Sequence, residues 1–215
     1  MTKGELEQEF DRLNDAQRRD RTFSAFSWWK AQIRLLAGEE YAKPGVDRRG
    51  QASVVTSRQK PFVGGMFQYA YDAKTKDKLP YWDAFPLVIP IEFYDDGMLG
   101  LNLHYLPVKA RIKMLDKLMS FMKHEKTGGH GQRTYMRLSY SMLKGLHHMV
   151  GFEFMIKRYL WNHVQSRIMR IHHTAWKNVA YLPTQHFQKA SAATVWADAS
   201  AHIHRAKKAQ KRSKK

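Results

Sequence analysis

Residues 85–105 read FPLVIPIEFYDDGMLGLNLHY and show the clearest periodicity in the chain. Apolar residues alternate through 87–93, the DDG at 95–97 is typical of a tight turn, and 98–105 can return beside the first run. The segment therefore predicts a β-hairpin. Because Pro90 has no backbone N–H, its strand is expected to lie at a sheet edge or to contain a bulge.

Further elements are predicted on both sides of this hairpin. Met66–Tyr71 is expected to form a third strand. Pro107 is well placed to start a helix that buries Ile112 and Leu115, and the apolar spacing predicts another helix over 152–168. Together these elements predict an α+β fold, in which an antiparallel hairpin sheet packs against several helices.

The two ends of the chain differ from this central part. Residues 1–60 predict an N-terminal helical and extended arm, in which an aromatic helix suits the core or a subunit interface and 43–65 is extended. Residues 61–198 are expected to form the α+β body. Residues 199–215 carry many basic residues and no acid, so they predict a basic tail that is frayed on its own and helical against phosphates.

Positive charge is concentrated in the second half of the chain. Residues 1–104 hold 15 Lys/Arg against 15 Asp/Glu, whereas 105–215 hold 22 against 4, so the net charge of +18 falls on the second half. Such a concentration of positive charge favours a polyanionic partner. Nucleic acid is the first candidate, and an acidic membrane surface is the second. The candidate phosphate contacts are Lys109, Arg111, Lys113, Arg133, Arg137, Lys157, Arg158, Arg167, Arg170, Lys207, Lys208, Lys211 and Arg212.

Catalytic and metal chemistry find little support in the sequence. There is no cysteine, which excludes thiolate metal sites and thiol nucleophiles, and the eleven histidines lack clustered carboxylates. A nuclease would need acids that hold a divalent cation, and the nearest set is Asp83, Glu92, Asp95 and Asp96 without a neighbouring lysine. We therefore expect no catalytic residue, no metal site and no cofactor.

Membrane insertion is not expected either. No apolar run approaches the roughly 18 residues that span a bilayer, and the polar start of the chain has no signal-peptide core. The sequence therefore predicts a protein made in the cytoplasm.

Three segments carry a family resemblance. They are SRQKPFVGGMFQYAYDAKTKDKLPYWDAFPLVIPI at 57–91, GMLGLNLHYLP at 97–107 and WNHVQSRIMRIHHTAWKNVAYLPTQHFQKASAATVWADAS at 161–200. Over about residues 55–200 the chain resembles a family of virion proteins of T-even-type tailed phages, the DNA end protectors. No catalytic residue is carried over from the family.

The resemblance implies a noncatalytic virion protein that binds and protects the ends of packaged double-stranded DNA. It also implies a few copies per particle, synthesis in the host cytoplasm, and contacts with virion proteins of the head, neck or tail during head completion. Two alternatives stay open. A tail or baseplate protein would use 23–36 and 43–65 to join subunits, and a packaging-associated nuclease would require a metal site.

Overall fold

The computed structural model describes residues 3–39, 55–56, 60–123 and 153–212. Within these ranges there are five α-helices: α1 Glu5–Arg12, α2 Asp15–Glu39, α3 Val108–Lys123, α4 Trp176–Val179 and α5 Ala192–Arg212. The same ranges contain eight strands: β1 Val55–Thr56, β2 Met66–Gln68, β3 Trp82–Asp83, β4 Leu87–Tyr94, β5 Gly97–Asn102, β6 Ile156–Leu160, β7 Met169–Ile171 and β8 Phe187–Gln188. This combination confirms the predicted α+β fold.

Six of the strands form one antiparallel sheet in the order β1-β7-β2-β4-β5-β6, and β3 pairs separately with β8. The predicted hairpin is present as β4 and β5, joined by Asp95 and Asp96. Pro90 lies in a central strand, and the register shifts between Pro90 and Glu92, so the sheet accommodates the proline with a bulge. The expected third strand forms as β2, beside β4.

The two halves of the chain are interleaved in this sheet. β7, from the basic half, lies between β1 and β2 of the neutral half, and β6 pairs with β5. Because 105–215 depends on strands of the first half for its backbone hydrogen bonds, the charge asymmetry along the sequence does not mark a separate folding unit.

Both faces of the sheet are covered by side chains. Leu87 and Ile89 point into the main core, where α3 begins directly after Pro107, as predicted, and buries Ile112 and Leu115. The second face carries a smaller and more aromatic core, formed by Phe67, Tyr69, Tyr71, Val88, Met98 and Tyr159. A sheet with apolar side chains on both faces explains why its central strands read as nearly continuous hydrophobic runs.

The helix predicted over 152–168 is wrong. From Glu153 onward the structure has a 3-10 turn to Met155, then β6, then a second 3-10 turn at Trp161–His163. Pairing with β5 buries Tyr159 and supplies hydrogen bonds along β6. Tertiary pairing therefore overrides the helical spacing of the apolar residues.

The N-terminal helices are packed on the body. Leu6 and Phe10 of α1 and Ala25 and Trp29 of α2 are buried in the main core, so the aromatic helix contributes to the core. Of the predicted extended arm at 43–65, the described residues are 55–56, which form β1, and 60–65. The rest of that arm lies outside the described residues.

The C-terminal tail is helical as far as Arg212, where a frayed segment was expected. α5 runs from Ala192 to Arg212 without a break at the predicted boundary after residue 198. The domain boundaries at 60 and 198 stay predictions. None of the described helices combines the length and the apolar content needed to cross a membrane.

Candidate nucleic-acid interface

Two exposed lysines of α3, Lys109 and Lys113, are paired with acids of α1. Lys109 Nζ lies 2.9 Å from Asp11, and Lys113 Nζ lies 2.9 Å from Glu7. In return, Asp116 of α3 accepts hydrogen bonds from the backbone N–H groups at the start of α1, including that of Leu6 at 3.0 Å. A carboxylate at a helix N-terminus stabilises the helix, so α1 is held as an acidic cover over the basic side of α3.

Arg111 is the clearest correction among the candidate phosphate contacts. Its side chain is 1% exposed, and its guanidinium donates to the carbonyl oxygens of Leu182 at 2.8 Å and Leu103 at 3.2 Å. Burial lowers the pKa of Arg111 to about 10, an effect that Asp83 partly opposes. Because its donors are used inside the core, Arg111 joins α3 to the segments that contain Leu103 and Leu182 and is not a surface group in this fold.

Three candidate phosphate contacts belong to strands of the sheet: Lys157 and Arg158 to β6, and Arg170 to β7. The pairing register places Lys157 and Arg170 on the same face as Phe67, and the guanidinium of Arg170 lies 4.9 Å from the ring centre of Phe62. Arg167 is exposed in the segment before β7. The pairing brings Lys157 and Arg170 to one face, with the strands β2, β4 and β5 between them.

Arg158 points to the other face of β6, near the hairpin turn. Its guanidinium lies 3.8 Å from the ring centre of Tyr94 and forms an ion pair with Asp96. Arg158 is exposed, so this pair contributes little to stability and does not prevent a phosphate contact.

The remaining candidates belong to the C-terminal helix or lie outside the description. Lys208 and Arg212 are exposed on α5, whereas Lys207 and Lys211 belong to the same helix, with side chains outside the described set. Arg133 and Arg137 fall in 124–152, outside the described residues. As phosphate contacts, the exposed candidates stay predictions.

A cavity of about 300 Å³ opens beside β6 and includes Lys157 in its lining. We call it the aromatic cavity, because five of its lining residues are aromatic. Burial raises the pKa of Tyr105 and Tyr159, so these walls are neutral phenols at physiological pH. Its lining residues are Tyr71, Ala73, Lys74, Thr75, Leu79, Tyr81, Trp82, Asp83, Tyr105, Lys157, Arg158, Tyr159 and Leu160.

Lys157 is a partly buried cation in the lining of the aromatic cavity. Its Nζ lies 4.5 Å from the ring centre of Tyr105, and burial lowers its pKa to about 8. Burial is the cause of this lowered pKa, and no carboxylate among the described residues counteracts it. A partly buried ammonium group that lies over an aromatic ring and forms no ion pair with a described acid is available to an anion that enters the cavity.

A buried polar network forms the floor of the aromatic cavity. Asp83 accepts hydrogen bonds from His104 Nδ1 at 2.7 Å, from the side-chain amide of Asn102 at 3.0 Å, and from the backbone N–H groups of Phe85 and His186 at 3.1 Å each. Burial alone would raise the pKa of Asp83, but His104 and these donors outweigh it and leave the pKa lowered. With these four donors, the carboxylate is satisfied inside the protein.

Asp83 belongs to this buried network and is therefore kept apart from the other acids that the nuclease alternative would need. Asp83 is 3% exposed, whereas Asp95 and Asp96 lie at the exposed hairpin turn. Within the described residues, no three histidine or acidic side chains converge as metal ligands would. The acids that sequence spacing suggested as a set therefore do not form one site.

Sequence analysis missed the aromatic cavity because its walls come from distant segments. Two signals were available: the adjacent Tyr81 and Trp82, and the alternation that puts Lys157 and Tyr159 on one face of a strand. The second was hidden by the helix predicted there. Without the pairing of β5 with β6, nothing in the sequence brings Lys157 to Tyr105.

The fold and these surfaces define an α+β protein with a basic exterior and an aromatic, cationic cavity, which suits a polyanion with stacking rings. A family model described as the phage T4 terminal DNA protecting protein matches residues 49–199. This is more than half of the chain, and the chain belongs to that family, which confirms the resemblance. No curated protein and no solved structure gives a significant match.

Proposed function

We propose that this protein binds the ends of double-stranded phage DNA in the virion and protects them from exonucleases without cutting them. The observation that carries the proposal is the family match over 49–199, since that family is described as protecting terminal DNA. The charge of 105–215 supports it independently, because a protein that holds DNA by its phosphates needs clustered Lys and Arg. Association with head completion or with the head–tail neck belongs to the same proposal.

The arrangement of the acids supports the noncatalytic part of the proposal. Phosphodiester hydrolysis by metal ions needs carboxylates that converge on an open site. Asp83 is committed to four internal donors, and Asp116 is committed to the start of α1. These carboxylates stabilise the fold, and neither is left open to a metal ion.

An exonuclease protection assay tests the proposal with the full chain. Linear duplex DNA is digested by an exonuclease that starts at duplex ends, with and without the protein, at about 50 and 200 mM salt. We expect protection at low salt that weakens steeply at high salt. Absence of protection at low salt, or cutting of DNA by the protein with magnesium present, would contradict the proposal.

Matched charge variants test which basic residues hold the DNA. Lys208→Gln with Arg212→Gln removes two exposed charges from α5, whereas Lys109→Gln with Lys113→Gln removes two charges that are already paired with acids. We expect the first pair to lower the slope of log affinity against log salt by about 1.8 and the second to change it little. Equal effects would show that total charge alone decides binding.

Infection separates end protection from a role in building the tail or baseplate. Particles with the α5 variant should assemble and package DNA, lose infectivity on hosts with an end-degrading nuclease, and regain it on hosts without that nuclease. A tail or baseplate protein would instead give incomplete particles or equal losses on both hosts.

A further inference from the structure

The aromatic cavity contains chemistry that phosphate contacts along a duplex do not require. Binding a DNA backbone needs exposed cations, yet here Lys157 is half-buried among Tyr105, Tyr159 and their neighbours. Tyr81 and Trp82 extend the aromatic wall, and Lys74 adds an exposed cation to the lining. An aromatic wall with an adjacent ammonium group matches the two parts of a nucleotide, its flat base and its phosphate.

The size and the aromatic lining of the cavity suit a single unpaired nucleotide. A volume of about 300 Å³ lies at the lower end of the range for small-molecule sites. Inside a duplex the two faces of a base are covered by the neighbouring base pairs, so only its edges can reach a protein. A base that has left the stack presents a free face to the aromatic wall.

The charges around the cavity suit a phosphate. Asp83 lies in the lining, but its oxygens already accept the hydrogen bonds of His104, Asn102 and two backbone N–H groups. Asp198, on α5, accepts a hydrogen bond from the hydroxyl of Tyr81 at 3.1 Å. The cations Lys74 and Lys157 line the cavity, so its solvent side favours an anion.

We infer that the aromatic cavity holds the unpaired terminal nucleotide of a DNA end, with the base against its aromatic wall and the phosphate at Lys157. This inference rests on the proposed function and deepens it, because it names the part of the DNA that distinguishes an end from continuous duplex. A duplex end supplies such a nucleotide when its last pair frays or when it carries an overhang.

Affinity measurements on three DNAs test the inference with the full chain. The probes are one duplex with an unpaired nucleotide at each end, the same duplex with blunt ends, and a covalently closed circular duplex, which has neither an end nor an unpaired nucleotide. For the wild-type protein we expect the affinity to decrease in that order, with about tenfold between the first and the last from the stacked base. Lys157→Gln should weaken this preference, because the phosphate of the unpaired nucleotide loses its partner, whereas Lys177→Gln, which removes an exposed charge on α4, should leave it unchanged.

Amine labelling tests the contact without any substitution. The free protein, and the protein saturated with each DNA, are acetylated at pH 8, and Lys157 and Lys177 are quantified by mass spectrometry. DNA with unpaired ends should protect Lys157 several-fold more than closed DNA does, with Lys177 labelled equally in both. Equal labelling of Lys157 in the two complexes would overturn the inference even if Lys157→Gln failed to fold.

The outcomes separate the cavity from the proposed function. A wild-type protein that binds open and closed DNA equally and gives no protection from exonuclease would contradict end protection itself. A wild-type protein that prefers open ends, with the preference unchanged in Lys157→Gln, would keep end protection and reject the aromatic cavity as its site.

Discussion

Replacing Lys157 by methionine should make the free protein more stable. Burial lowers the pKa of Lys157 from 10.5 to about 8, which corresponds to about 3 kcal/mol of unfavourable free energy for the charged group at pH 7. The contact of its ammonium group with the Tyr105 ring offsets about 1 kcal/mol of this. Methionine keeps an unbranched side chain without the charge, so the free energy of unfolding should rise by about 2 kcal/mol at pH 7.

The difference in unfolding free energy between Lys157→Met and the wild-type protein should depend on pH. Above pH 8 the folded protein loses the Lys157 proton while the unfolded chain keeps it up to about pH 10.5, so the wild-type protein gains stability across this window. The advantage of Lys157→Met should therefore shrink as pH rises and be small near pH 10. Urea denaturation of both proteins from pH 7 to 10 measures it, with Lys177→Met as the control. A variant that is less stable at pH 7, or a difference that does not change with pH, would refute the reasoning.

Three further predictions concern other parts of the fold. Gly97→Ala should lower the melting temperature by several degrees, or about 2 kcal/mol, because its Cβ would lie 2.0 Å from the backbone oxygen of Tyr159; thermal unfolding with an unchanged midpoint would contradict this. Glu7→Gln with Asp11→Asn should free two α3 lysines and steepen the salt dependence of DNA affinity by up to about 1.8 in log–log slope; an unchanged slope would place α3 away from the DNA. Asp83→Asn should reduce stability by about 3 kcal/mol in urea denaturation, since a carboxylate with four donors is lost; a stable variant that had lost DNA cleavage would instead support a nuclease.

Local signals in the sequence were sufficient to predict the hairpin of β4 and β5 and the start of α3. Alternation through 87–93 and the turn at 95–97 are short-range features, and the chemistry of Pro90 reduced the options to an edge or a bulge. The choice between these two depended on β2, which covers the other side of β4. At β6 the local signal was misleading, because the apolar residues of 152–168 fit a helix and β5 decides the outcome.

The candidate site was predictable only in its overall charge. Composition identified a polyanion partner, but it could not separate exposed cations from paired or buried ones. Lys109 and Lys113 are covered by acids that lie about a hundred residues earlier in the chain. The aromatic cavity combines residues of β3, β6 and the loops around them, which sequence spacing does not relate. Long-range pairing therefore determines which positive charges can meet DNA.

Arg111 and Lys157 show how a structure distinguishes the two kinds of buried cation. Both lose solvent on folding, and burial lowers the pKa of each. Arg111 donates to the carbonyl oxygens of Leu103 and Leu182, so its charge is used inside the fold and its removal would leave buried acceptors without donors. Lys157 faces the Tyr105 ring and an open cavity, so the ring offsets only part of its unfavourable burial and an anion that enters the cavity can offset more. A charge that destabilises the free protein and can stabilise a complex is typical of a binding site. For this reason we assign the DNA terminus to Lys157, whereas Arg111 stabilises the core.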